Sequence, residues 1–196
     1  MKKFGFKLLA TDTKCNARVG RVTTPHGTFE TPVFMPVGTQ GSVKAMLPRD
    51  LKEAGTEILL SNAYHLYIRP GLEIIKKLKG LHRFMGWNGP ILTDSGGYQV
   101  FSLSKLRSIS EEGVRFNSHF DGREIFLTPE KVIEIQETLG SDIAMIFDEC
   151  PAATKDKKTI EKAVNITLRW ANRAKKRHKL GSQAIIGIVQ GGTFKD

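Results

Sequence analysis

Asp94 and Asp148 each stand directly after an apolar run, residues 90–93 (PILT) and 142–147 (DIAMIF). Two carboxylates at one mouth can divide labour. One accepts hydrogen bonds from the N1–H and 2-amino donors of a guanine edge, while the other moves protons or attacks an anomeric carbon. Paired acids also serve glycoside cleavage. In residues 93–101 (TDSGGYQVF), Gly96 and Gly97 permit positive φ and a close backbone approach to a ligand, and their amides could form a nest for an anion or carbonyl. Tyr98 offers a flat face on which a base could stack. Gln190, within residues 187–192 (GIVQGG), has an amide that both donates and accepts, which suits a carbonyl such as guanine O6. Asn62 and His65 lie in the aromatic and polar stretch 61–71 (SNAYHLYIRPG). His65 has no His, Cys or Asp close behind it at ligand spacing, so no metal is expected there. Each residue also has a plainer reading. Asp94 caps a tight turn, Asp148 and Glu149 open a helix, Gln190 is a loop glutamine, and His65 is a satisfied structural histidine.

Four apolar strands, interspersed with helices, must position these side chains. The strands are 58–61, 90–93, 142–147 and 184–189, and the last two read as buried on both faces. Asn62, Asp94, Asp148 and Gln190 each fall just past one carboxyl end, the edge that carries the chemistry in parallel α/β folds. Helices are expected at 48–54, 72–79 (closed by Gly80) and from Thr128 to Gly140. Thr128 suits the N-cap, Pro129 the first turn and Glu130 the helix dipole. The first forty residues read as β structure with a hairpin turn at Pro25-His26-Gly27, and a second hairpin is inserted around Asp121-Gly122. The pattern is α/β with a mainly parallel sheet. It predicts the N-terminal portion of a (β/α)8 TIM barrel, about four βα units with an N-terminal hairpin and an inserted hairpin, or else a smaller open sheet. One domain over residues 1–196 is expected, without repeats or long linkers.

Composition narrows the partners. Thirty Lys and Arg against twenty Asp and Glu give a net charge of +10, which favours a polyanion. Residues 155–179 hold ten lysines and arginines against Asp156 and Glu161, on what reads as one amphipathic helix with a basic outer face. No apolar run is long enough to span a bilayer, and the N-terminus lacks a signal-peptide pattern. The two cysteines, Cys15 and Cys150, give neither a disulfide framework nor a metal knuckle, so a reduced cytoplasmic protein is expected.

The ordered strings FETPVFMPVGTQGSVKAM, LLSNAYHLYIRPG, ILTDSGGYQVFSL, FDGREIFLTPE, FDEC and GIVQGG resemble the tRNA-guanine transglycosylase (queuine tRNA-ribosyltransferase) family over essentially the whole chain. That resemblance implies a (β/α)8 barrel, often homodimeric, with an inserted zinc subdomain. It implies exchange of the wobble guanine of GUN-anticodon tRNAs for 7-aminomethyl-7-deazaguanine in queuosine biosynthesis, through a covalent enzyme–tRNA intermediate. Carried over by motif, Asp94 is the proton acceptor and donor near the glycosidic bond. Ser95, Gly96, Gly97 and Tyr98 line the base pocket, with Tyr98 stacking on the purine. Asp148 binds the N1 and 2-amino edge, Gln190 the 6-carbonyl, and Cys150 sits beside the ring. Asn62 and His65 form the pocket wall or ribose side. The family's nucleophilic aspartate, glycine-rich loop and three-cysteine, one-histidine zinc site have no counterpart in these residues, so the chain alone is expected to be inactive. Two other readings compete: a catalytically dead RNA-binding remnant, and a barrel glycosidase. The basic charge and the scarcity of tryptophan (Trp87 and Trp170) oppose the glycosidase.

Overall fold

The computed structural model describes residues 4–103, 107–152 and 156–194. Four short strands carry the centre: β4 (Leu59–Ser61), β5 (Ile91–Thr93), β9 (Ile143–Met145) and β10 (Ala184–Ile186). All are parallel, and their spatial order β4-β5-β9-β10 follows the chain without reversal. A backbone bridge from Val37 to Leu60 extends the β4 side. This is the expected parallel α/β arrangement, and the sheet does not close on itself among the described residues.

Both hairpins are three-stranded sheets. β1 (Gly5–Thr11) adds to β2 (Arg18–Thr24) and β3 (Gly27–Thr31), and β6 (Arg107–Ile109) adds to β7 (Val114–Asn117) and β8 (Glu124–Leu127). β7 and β8 alternate buried and exposed residues, as a half-covered hairpin must. The expected helices are α1 (Pro48–Glu53), α3 (Leu72–Lys77), α6 (Pro129–Leu139) and α7 (Lys157–Arg177). Thr128 caps α6 by accepting from the Lys131 amide, and Gly140 ends it in the left-handed conformation. Three short helices were not legible: α2 (Ala63–Ile68), α4 (Leu81–Met85) and α5 (Gly97–Leu103). Each spans under two turns, too short to establish a helical period.

The core lies between the sheet, α6 and α7. Phe147 stacks on Trp170 with ring centroids 5.0 Å apart, both fully buried. The Trp170 indole donates to the Glu111 carbonyl at 2.9 Å. The segment from β9 to Asp148 is thereby held against α7. One burial expectation fails: residues 184–189 are not a strand buried on both faces. β10 is an edge strand, Ile186 is 38% exposed and Val189 98% exposed, because no described element covers them.

Candidate active site

The four strand-end residues form two donor–acid pairs, Asn62 on Asp94 and Gln190 on Asp148, and the two acids are neighbours. Asp94, past β5, is held by three donors. Asn62 Nδ2, past β4, donates to Oδ2, Gln99 Nε2 donates to the same oxygen at 2.8 Å, and the Ala63 amide donates to Oδ1 at 2.9 Å. Burial nevertheless dominates and pushes the Asp94 carboxyl above the usual carboxylate range, against these hydrogen bonds and the nearby His65. Asp148, three residues past the end of β9, accepts from Ser95 Oγ at 3.1 Å and from Gln190 Nε2 at 3.0 Å. Burial raises its pKa too, and the neighbouring Asp94 charge adds to the rise. Two buried carboxyls that each resist ionisation are suited to proton transfer.

The glycine pair also packs against protein. Gly96 has φ of 81° and Gly97 begins α5, and both allow close approaches to neighbouring residues. A Cβ on Gly97 would fall 2.5 Å from Asp148 Oδ1, and one on Gly96 would fall 2.9 Å from the Tyr64 Cβ. These glycines let the loop after β5 pack directly against the neighbouring strand ends. Tyr98 stands on the first turn of α5 with 62% of its surface exposed. Cys150 is half-buried and helps line a cavity of about 250 Å³ with Pro151, Ile160, Val164, Gln190 and Gly191. A second hollow of about 420 Å³ shares Gln190 and opens toward Lys157 and Phe194. Both hollows thus lie beside Gln190, and Asp94 and Asp148 line neither; Gln190 links them to the acids through its hydrogen bond to Asp148. Gln190 also donates to the Glu149 carbonyl at 3.0 Å, and its own Oε1 is buried without a partner. His65 lies beside Asp94; burial lowers its pKa, helped by His119 and opposed by Asp94.

Sequence reasoning missed Gln99, which reaches Asp94 only because α5 starts at Gly97 and turns the chain back. It also missed a second cluster at the opposite end of the sheet. There Asp142 accepts from His26 Nδ1 at 2.8 Å, His82 Nε2 at 3.1 Å and the Ile91 amide at 2.9 Å. Burial alone would raise this carboxyl, but the His82, His26 and amide hydrogen bonds together bring it down to about 2. The three side chains offer ligand atoms within 4.8 Å of one another. However, the two imidazoles stack with centroids 3.6 Å apart and planes only 19° from parallel. A metal must lie near the plane of each imidazole that binds it, so rings stacked this way do not converge on one ion. The cluster ties the β2–β3 turn and α4 to the sheet.

The basic helix also needs correction. Arg169 pairs with Glu111, Arg173 with Glu130 at 2.7 Å, and Arg177 with Glu137 at 2.9 Å. Three of the ten cations expected on an outer face are thus spent holding α7 to α6 and to the turn before β7; Lys155 lies outside the described residues. Among the described residues, no helix is long and apolar enough to cross a membrane.

A parallel sheet with half-buried acids clustered beyond its carboxyl edge defines an α/β protein. The family model for queuine tRNA-ribosyltransferase matches residues 12–196. The chain is 58% identical to a queuine tRNA-ribosyltransferase of Thermoanaerobacter sp. (strain X514), over 100% of this chain and 52% of the relative. It is 58% identical to that of Desulforamulus reducens over 92% of this chain and 49% of the relative. With the protein of that name from Listeria monocytogenes (strain HCC23) it shares 54% over 100% of this chain and 52% of the relative. The chain belongs to the queuine tRNA-ribosyltransferase family, and it spans about half the length of the curated relatives it matches.

Proposed function

We propose that this chain carries the base-reading side of a tRNA-guanine transglycosylase site, built on the first four strands of a (β/α)8 barrel. The observation that carries the reading is the Asp94–Asp148 pair, half-buried beyond the ends of adjacent strands and held by converging donors, with both carboxyls pushed up. A strand order that follows the chain without reversal supports the barrel. The substrate is the wobble guanine of a GUN-anticodon tRNA, exchanged for 7-aminomethyl-7-deazaguanine, by a protein that works as a homodimer in the cytoplasm.

Asp94 takes and returns the proton at the glycosidic nitrogen. Its raised pKa brings it nearer to neutrality, where a group can hold a proton and still give it up. Asn62, Gln99 and the Ala63 amide fix its orientation. Asp148 accepts from the purine N1–H and 2-amino group. These donors replace the Gln190 amide on Asp148, and that amide then turns to the 6-carbonyl. Tyr98 stacks on the base, Ser95, Gly96 and Gly97 form the floor, Cys150 flanks the ring, and His65 stands on the ribose side. The family's zinc ion does not fit the described residues: the two cysteines lie on separate elements, and no set of three cysteines and a histidine exists among them. No step here runs through it.

Titration calorimetry with guanine tests the reading. Binding is expected, and Asp148→Asn is expected to weaken it. Absence of guanine binding to a folded chain would sink the proposal and favour an RNA-binding remnant.

A further inference from the structure

The tip of the inserted hairpin lies beside the acid pair through one buried side chain. Tyr64 is buried next to the Asp94 loop, where Gly96 makes room for it, and its hydroxyl hydrogen-bonds with His119 Nδ1 at 2.8 Å. The His119 ring meets the His65 ring edge-on with centroids 5.5 Å apart. The next residue, Phe120, is 56% exposed, and the Arg69 guanidinium lies over its ring at 5.4 Å. His65, His119, Phe120 and Arg69 therefore form a strip leading outward from Asp94.

The same hairpin supplies a control for what this pairing means. On the stem, Arg115 lies over Phe126 at 4.7 Å, and Glu124 neutralises it at 2.7 Å. At the tip, Arg69 forms no ion pair among the described residues. The tip is also held rigid. Ser118, itself buried, accepts from the Phe120 amide at 3.2 Å, Asn117 donates to the Gly122 carbonyl at 2.8 Å, and Gly122 has φ of 72°. A fixed, exposed aromatic face beside an unneutralised cation combines the two elements that bind single-stranded nucleic acid: a stacking platform and a phosphate contact. Rigidity lowers the ordering cost of binding.

We propose that this strip grips the RNA strand next to the target nucleoside, with Phe120 stacking on a flanking base and Arg69 contacting a backbone phosphate. The proposal rests on the exchange reading for its substrate, and its test separates the two. The probe is a fluorescein-labelled RNA stem-loop with one guanine in the loop, titrated with the full chain by anisotropy. Phe120→Ala is expected to weaken binding about tenfold, and Phe120→Trp to preserve it. Arg69→Gln is expected to reduce the slope of log affinity against log salt by about one. Phe120 is exposed, so these variants keep the core, which a circular dichroism melt verifies. Binding of the stem-loop within twofold of the parent by both Phe120→Ala and Arg69→Gln overturns the strip. So does a parent chain that binds no stem-loop, or one whose binding is displaced equally by polyglutamate, which would mark an acidic protein surface instead. Guanine calorimetry is read separately, so failure of the strip leaves the exchange reading standing or falling on its own result.

Discussion

Asp142 and Asp94 are buried aspartates at opposite ends of one parallel sheet, and their environments push them in opposite directions. Asp142, at the amino end, has two imidazoles and backbone amides, and falls to about 2. Asp94, at the carboxyl end, has three donors and still rises, as does Asp148 beside it. Burial pushes all three up; the number and charge of the donors decide which are brought back. One end of the sheet is electrostatically finished and serves stability. The other is left undercompensated, with carboxyls that burial raises and their donors do not bring back.

Asp94→Asn offers the sharpest break in this comparison. In the intact protein it is expected to lower the rate of guanine exchange by roughly 10²- to 10⁴-fold with RNA affinity nearly unchanged, as loss of a general acid–base does. A loss of affinity at normal rate would contradict the assigned role. Asp142→Ala is expected to leave guanine binding intact wherever the chain is folded, but to cost about 2 kcal/mol of stability, the scale for leaving the donors on a buried carboxylate without their acceptor. Urea unfolding measures it, and an unchanged midpoint would remove the staple role. Asp148→Asn is expected to weaken guanine binding by about tenfold, because one acceptor facing two purine donors becomes an amide.

The smallest effect is a pH slope, and it has a different sign at each end. Asp142 is depressed, so its contribution to stability is present above about 3.8 and is lost as pH falls toward about 2. Asp94 and Asp148 are raised, so their contribution is present below 3.8 and is lost as pH rises through their folded values. Thermal melts across acidic pH should show Asp142→Ala losing the low-pH fall, and the double variant Asp94→Asn, Asp148→Asn losing the decline above it. Identical pH profiles in all three proteins would erase the distinction between the ends.

The residues at the carboxyl end of the sheet were legible in the sequence and those at the amino end were not, for a physical reason. A polar residue after an apolar run marks a strand end locally, so Asn62, Asp94, Asp148 and Gln190 could be read one at a time. His26, His82 and Asp142 are far apart in the chain and share no spacing; only the fold brings them together. The basic helix carried an overlooked signal. Arg169, Arg173 and Arg177 recur every four residues, and Glu130 and Glu137 stand two turns apart on α6. Those spacings describe two facing stripes of opposite charge, which is what the structure contains. The extra strand β6 escaped because it completes a hairpin whose own two strands already accounted for the alternation.

Gly97 has a consequence for how this molecule can vary. Its absent side chain leaves the volume that the Asp148 carboxylate occupies. The Asp94 loop and the Asp148 loop, some fifty residues apart in the chain, are therefore a single heritable unit: neither can drift without the other. A saturation library should find Gly97 intolerant in the same variants, and by the same guanine-binding phenotype, as Asp148 itself.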